Sequence, residues 1–277
     1  MGLFDIFTRP STVHAAPPPP PPPPPPKQPV APPKPAPWGT DGFTLAQAPL
    51  SRDGKPDFSK NKRLDALASD VRNGCCASVP GKDFDWSKSR FVKGDPKTGV
   101  APLPPMDQLA GKLTTPEEKN AYIGKLNRAM IAPPIAQNGE FTPEVAHATM
   151  RLQREVKIPG TGGFNEATER ALDVRVRDLD AGKPDVRPDP GSNPDYAAAG
   201  SAADANQMGL RSALHASMGR QESGWMPVGV RDMGVRADDR GDRQIRVWLE
   251  AGTDGSKIPA TFGNDRMPVV VVPAQAQ

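Results

Sequence analysis

The residues that could do acid–base, nucleophilic or metal chemistry are few and scattered. The 277-residue chain has three histidines, His14, His147 and His215, each in a different region. It contains no zinc-protease, Walker, dinucleotide-binding or nucleophile-elbow motif. A zinc hydrolase would need convergent histidine and acidic ligands, which the sequence lacks. We therefore expect no catalytic residue, no metal site and no cofactor, and the sequence predicts a protein that is not an enzyme.

Glu222 is the strongest single candidate for an acid catalyst. The Glu-Ser-Gly string that it begins is similar to the segment holding the acid of soluble lytic transglycosylases. Only about 50 residues follow Glu222, so the surrounding helical domain of those enzymes is missing. Because lysozyme-like chemistry also needs a second carboxylate on a substrate cleft, we interpret Glu222 as a solvated helix end.

Cys75 and Cys76 are the only two cysteines, and they are adjacent. A disulfide between neighbours is strained, and a zinc site needs more ligands at other spacings. Two interpretations stay open, namely buried or free thiols and an intermolecular disulfide to another chain.

The composition excludes several classes of protein. The chain has 36 prolines and 26 glycines, with 36% hydrophobic and 5% aromatic residues. These values disfavour one large enzyme core and predict small domains separated by extended, proline-rich chain. The net charge of +3 comes from interleaved acids and bases, so we expect no nucleic-acid partner. No segment approaches the ~20 apolar residues of a membrane span, and we read no secretion signal, so we expect no membrane partner.

The N-terminal region predicts an attachment arm. Residues 17–37 hold fifteen prolines, ten of them consecutive, which favours polyproline II and a stiff spacer. Residues 29–32 also fit a PxxP ligand for an aromatic groove. An apolar tip precedes the prolines, and we interpret it as a docking tip for a partner subunit, the alternative being a frayed terminus. Its residues are Leu3, Phe4, Ile6 and Phe7.

Two similar segments, 139–148 and 162–171, predict repeated helix starts. Both read Gly-x-Phe-(Thr/Asn)-x-x-(Val/Thr)-x-x-Ala, 23 residues apart. In each, glycine makes a turn, phenylalanine packs into the core, and Thr142 or Asn165 caps the following helix. An earlier helix has Thr115 as its expected cap and proline at its first position. The pattern predicts a compact three-helix unit with both phenylalanines buried.

This unit resembles the peptidoglycan-binding helical domain found beside many wall hydrolases. The family's pattern is matched over about 60 residues. Three positions depart from it: Asn127 replaces a glutamine of the pattern, Val145 a threonine and Thr149 a valine. The resemblance implies the fold and, as an expectation, peptidoglycan as a partner. The matched positions that we single out for packing and the motif are Phe141, Leu152, Gln153, Phe164 and Thr168.

We predict a multidomain α+β protein with a small C-terminal α/β unit after the helical domain. That unit should have a helix, marked by apolar residues from Met208 to Met218 and ending near Gly219 or Gly224, and strands over 228–235, 244–250 and 268–272. The expected divisions are the tip and arm, a short helix with an irregular segment, the peptidoglycan-binding-like domain, a linker and the C-terminal domain. Their bounds are 1–56, 57–112, 113–178, 179–207 and 208–277.

These features predict a non-enzymatic structural or attachment component of a larger assembly, with a bacteriophage virion as its location. Its partners would be other subunits, bound through the arm, and peptidoglycan where the helical unit keeps the family's binding. The alternative is a wall-targeting module that reaches the bacterial envelope without a signal peptide.

Deleting residues 1–37 should release the protein from its assembly while leaving the helical unit folded. A pre-extended arm loses little conformational freedom on docking, so a few apolar residues can suffice for attachment. Occupancy of the purified assembly and the circular dichroism of the truncated chain provide the two measurements. Wild-type occupancy after the deletion would contradict the attachment role.

Overall fold

Helices form the first part of the described chain, and a small sheet follows them. The computed structural model describes residues 52–53, 61–74, 80, 83–184, 194–222 and 224–274, all within one unit, Trp38–Gln277. The helices are α1 (Lys62–Gly74), α2 (Arg90–Lys93), α3 (Met106–Ala110), α4 (Pro116–Arg128), α5 (Pro143–Glu155), α6 (Glu166–Asp180) and α7 (Pro194–Met218), with 3₁₀ turns at Trp86–Lys88 and Gly255–Lys257. The strands are β1 (Val230–Ala237), β2 (Arg243–Leu249), β3 (Thr261–Phe262) and β4 (Met267–Val272).

The three expected helix caps are present. Thr115 and Glu118 form a reciprocal capping box at the start of α4, which satisfies amide groups that have no partner within the helix. Thr142 accepts from the amide of Val145 at the start of α5, and Asn165 does the same for Thr168 at α6. The two repeated segments therefore do begin two helices, as the sequence predicts.

One hydrophobic core joins the helices before and after residue 113. Leu64, Leu67 and Val71 of α1 are buried in the same cluster as Leu109 and the inner faces of α4, α5 and α6. The short helices α2 and α3 occupy the segment for which the sequence suggested irregular structure. The core thus extends across the expected boundary at residue 113.

The sheet is mixed and has the strand order β1-β2-β4-β3. Strand β1 pairs antiparallel with β2, β2 pairs parallel with β4, and β4 pairs antiparallel with β3. The three expected strands are confirmed within about two residues of their predicted bounds. Strand β3 was not predicted, because two residues carry no periodic pattern. Helices with a mixed sheet confirm the α+β class.

Helix α7 begins at Pro194, so the prediction of a linker over 179–207 is wrong for its second part. Proline is favoured in the first turn of a helix, and the segment that follows is rich in alanine, the strongest helix former. Helix α6 likewise runs to Asp180, beyond the expected domain end at 178. No described helix is long and apolar enough to span a membrane.

The sheet is covered on both faces. Alternate residues of β2, Ile245, Val247 and Leu249, share a buried cluster with Leu210 and Leu214 of α7. Successive strand side chains point to opposite faces, so Arg246 and Trp248 lie on the face turned away from α7. The alternation of side chains along β2 therefore directs one set toward α7 and the other set toward the opposite face of the sheet.

The second face of the sheet caps the C-terminal end of α6. Trp248 Nε1 donates to the Asp180 carbonyl at 2.9 Å, and Arg236 Nε donates to the Leu179 carbonyl at 3.0 Å. Arg246 pairs with the Asp180 carboxylate at 2.8 Å. The last carbonyls of a helix have no partner within it, and cations there are favoured by the helix dipole. The sheet therefore closes the open end of α6.

Asn127 of α4 provides a second attachment for the sheet. Its buried amide donates to the Ile135 carbonyl at 2.9 Å and to the Asp239 carbonyl, in the turn after β1, at 3.0 Å. Gln137 donates to the same Asp239 carbonyl at 2.9 Å. Asn127 therefore bonds both to its own helical segment and to the turn between β1 and β2.

His147, a residue of α5, is enclosed by aromatic side chains from the segment that precedes α3. Its ring centroid lies 5.6 Å from that of Trp86 and 5.7 Å from that of Phe91, and the side chain is buried. Burial, with the cationic Arg151 and Arg154 nearby, holds the pKa of His147 well below its ordinary value. The imidazole is therefore neutral in the folded protein.

Acid should destabilise the fold through His147. In the unfolded chain, histidine takes up a proton below about pH 6.5, whereas the folded protein does not. The stabilising contribution is therefore complete above that pH and is lost as pH falls toward the depressed folded pKa, at up to about 1.4 kcal/mol per pH unit. Urea denaturation between pH 7 and 5 measures this slope.

His147→Leu should flatten the slope, while the matched variant His215→Leu, at a half-buried position of α7, should retain it. An unchanged slope in His147→Leu would contradict this assignment.

Candidate functional site

A groove lies between α4 and α6, and we call it the α4–α6 groove. It has a volume of about 290 Å³, enough for part of a sugar or a short peptide segment but below the usual range of drug-sized pockets. Both helices and the turn that precedes α4 contribute to it. Its lining residues are Lys112, Leu113, Glu118, Ala121, Tyr122, Lys125, Phe164, Glu169 and Leu172.

The floor of the groove is aromatic. The ring of Tyr122 meets Phe164 edge to face at 5.0 Å and stacks with Phe141 at 6.3 Å, nearly parallel. The Tyr122 hydroxyl shares a 2.8 Å hydrogen bond with Thr149. Burial raises the pKa of Tyr122, so the phenol stays neutral beneath the groove.

Charges of both signs form the rim. Lys125 pairs with Asp173 at 2.6 Å on the α6 side. Glu118 accepts from the backbone amides of Thr115 and Thr114, and these bonds lower the pKa of Glu118. Lys112 and Glu169 add a further cation and anion to the lining. The groove can therefore offer an apolar surface together with charge-assisted hydrogen bonds.

Gln153 fixes the loop that brings Phe164 to the groove. Its side chain is fully buried, and its amide nitrogen lies 2.9 to 3.1 Å from Thr168 Oγ1, the Gly163 carbonyl and Thr161 Oγ1. Its carbonyl oxygen accepts from the Gly162 amide at 2.9 Å. A buried amide with all of these partners ties the loop to α5 and to the start of α6.

The two repeated phenylalanines are not equivalent. Phe141 is buried, with 6% of its surface exposed, as the sequence predicts. Phe164 is only half-buried, so the prediction that both phenylalanines are buried is wrong for this residue. Its amide donates to the Leu109 carbonyl at 2.8 Å, and its ring lines the groove because α4 and α6 leave a gap there. Leu152 is fully buried in the same core.

The other residues singled out from the sequence do not converge on a site. His147 lies in the core, half-buried His215 belongs to α7, and Glu222 is exposed in the turn after α7. Among residues 61–74, 83–184, 194–222 and 224–274, no group of three histidine, cysteine or acidic side chains could hold a metal ion. His14, the cysteines and the apolar tip lie outside the described residues. The last two sets are Cys75 and Cys76, and Leu3, Phe4, Ile6 and Phe7.

Most groove residues were missed at the sequence level. Glu118, Ala121 and Lys125 recur at three- and four-residue intervals along α4, and Glu169 and Leu172 do so along α6. Such spacing places side chains on one face of a helix. The signal was present, but it does not tell which two helix faces oppose each other.

Gln153→Met should destabilise the helical unit and disturb the groove. The substitution keeps the side chain's length but leaves the Gly162 amide without its acceptor and the Gly163 carbonyl without its donor. We expect a loss of about 1–3 kcal/mol in the free energy of unfolding for each buried group left unpaired, measured by urea denaturation. The matched variant Gln108→Met, at an exposed position of α3, should change it by less than about 0.5 kcal/mol. Equal effects of the two variants would contradict the role of the network.

Comparison with known proteins leaves the resemblance to the peptidoglycan-binding helical domain as a prediction. It depends on the residues of the two repeated helix starts and on Gln153. No family model matches the chain, and no curated protein or solved structure matches it.

Proposed function

We propose that the chain is a non-catalytic attachment component of a larger assembly, and that its helical unit, residues 113–178 together with the adjoining Lys112, binds peptidoglycan. A bacteriophage virion is the assembly that we favour. The proposal combines an arm suited to docking on partner subunits with a helical unit that offers a ligand groove.

The observation that supports binding is the chemistry of the α4–α6 groove. Its floor is the half-buried ring of Phe164, with Tyr122 and Leu172 packed beneath it, and its rim carries lysines and glutamates. Peptidoglycan presents matching groups, because its sugars and acetamide methyls have apolar faces while its stem peptides carry amines and carboxylates. A site with a few placed polar groups around an apolar floor is the usual form of a small-ligand site.

The departures from the family pattern are compatible with a retained groove. Val145 is buried in the core, Thr149 supports the hydroxyl of Tyr122, and Asn127 bonds the sheet. None of the three lines the groove. These changes are therefore changes of packing, and they leave the rim and floor available to a ligand.

The alternative function, a free wall-targeting module, uses the same groove without the assembly. The two functions differ in what the N-terminal arm does. The proline-rich composition of residues 17–37 favours the assembly, because a free module has no need of a stiff arm with an apolar tip.

A blocked groove tests the binding function. Ala121 is exposed and lines the groove, so Ala121→Trp should fill it without entering the core. The wild-type chain should sediment with purified peptidoglycan, and Ala121→Trp should remain in the supernatant. Ala213→Trp, at an exposed position of α7, is the matched control and should sediment like the wild type.

Two outcomes would contradict wall binding by the groove. One is a folded wild-type chain that does not sediment, which would make the helical unit a structural element alone. The other is equal sedimentation of Ala121→Trp and wild type, which would place the binding surface elsewhere. Thermal unfolding of each variant verifies that the fold is intact.

A further inference from the structure

Trp225 is the most exposed of the large hydrophobic residues in the described part of the chain. It retains 70% of its surface exposure, whereas Trp248 is buried and Trp86 is half-buried. A large aromatic side chain left in water forfeits most of its hydrophobic stabilisation. Its position is therefore not explained by folding.

The turn that carries Trp225 is ordered by backbone hydrogen bonds. It connects α7 to β1, and a bridge between Arg220 and Pro227 closes it. The Gln221 amide donates to the Met226 carbonyl at 3.0 Å, and the Gly224 amide donates to the Gln221 carbonyl at 2.9 Å. Backbone hydrogen bonds thus hold the residues on both sides of Trp225, Gly224 and Met226.

One face of the Trp225 indole contacts a cationic side chain. The Arg211 guanidinium of α7 lies 4.8 Å from the ring centroid of Trp225, a cation–π contact that restrains the ring. Because Trp225 remains 70% exposed, its opposite face is open. The Trp225 ring is therefore a flat surface with one open face, and we call it the platform. Contact with Arg211 already restricts the ring before any ligand binds, which lowers the entropy cost of binding.

Polar residues share the turn with Trp225. Glu222 and Arg220 are exposed in the same turn. Gln221 Nε2 donates to the Val230 carbonyl at 3.0 Å and lies 3.3 Å from Glu250 Oε1, which sets two further polar side chains beside the turn. A flat apolar face on a turn that also exposes hydrogen-bonding side chains has the chemistry that complements a sugar ring.

We propose that Trp225 is a glycan-binding platform, on which a pyranose ring stacks its C–H face while Glu222 and Arg220 receive its hydroxyl or acetamide groups. This site lies on the C-terminal unit, and it does not require binding in the α4–α6 groove. The exposed residues of this turn are Arg220 and Glu222, which are charged, and Trp225 and Val228, which are apolar. A protein partner is the alternative occupant, and the experiment below distinguishes the two.

Titration of the full-length chain with chitotetraose, followed by tryptophan fluorescence, tests the proposal. Stacking should move the emission of the exposed indole to shorter wavelength with a saturable dependence on glycan concentration. Trp225→Ala should abolish the shift, and by isothermal titration calorimetry it should weaken binding about tenfold or more. Trp225→Tyr should retain most of the affinity, since a smaller aromatic face remains. Arg211→Ala should weaken binding less than Trp225→Ala.

Two controls separate this site from the others. Met208→Ala removes an exposed apolar residue of α7 outside the turn and should bind glycan like the wild type. Ala121→Trp blocks the α4–α6 groove and should leave the fluorescence response intact. The response can therefore be present even if peptidoglycan binding by the groove fails, and it can fail while the groove binds.

The absence of a saturable shift in the wild-type chain at the solubility limit of the glycan would overturn the proposal. It would also be overturned if Trp225→Ala and Met208→Ala lowered binding equally, because that result indicates a broad apolar patch suited to a protein partner. Trp225→Ala is expected to fold, since the side chain makes little buried contact, and circular dichroism verifies this.

Discussion

A single buried carboxamide, that of Gln153, sets the shape of the loop on which the α4–α6 groove depends. A polar side chain without exposed surface must find its partners inside the protein, or the fold loses stability. Gln153 finds them in the loop after α5 and at the start of α6. The path of this loop is therefore fixed, and it ends by bringing Phe164 against Tyr122. The aromatic floor of the groove is a consequence of satisfying one amide.

The same two helices that line the groove also hold the sheet. Helix α6 contributes Glu169 and Leu172 to the groove and its last carbonyls to the sheet, and α4 contributes Lys125 to the groove and Asn127 to the turn after β1. The other face of the sheet packs on α7. A ligand in the groove would therefore be held in a fixed orientation to the sheet.

Features determined by local physics could be predicted from the sequence, and those determined by long-range contacts could not. Thr115, Thr142 and Asn165 signal helix starts through bonds within four residues, and alternation in β2 signals a strand with one buried face. By contrast, the half-burial of Phe164 depends on a gap between two helices distant in sequence. The capping of α6 by Trp248 joins residues that are 68 positions apart in the sequence. No local sequence pattern could predict this contact. Tyr122 was missed because a buried aromatic on a helix signals core packing as readily as the floor of a site.

Amide chemical shifts of the full-length chain, recorded as a soluble disaccharide–stem-peptide fragment of peptidoglycan is added, would test the proposed binding of peptidoglycan in the α4–α6 groove. We expect the changes to centre on the groove, at Lys112, Ala121, Phe164 and Glu169, and to saturate together with a single dissociation constant. The absence of changes, or changes confined to α1 and α5, neither of which lines the groove, would contradict its role as the wall-binding site.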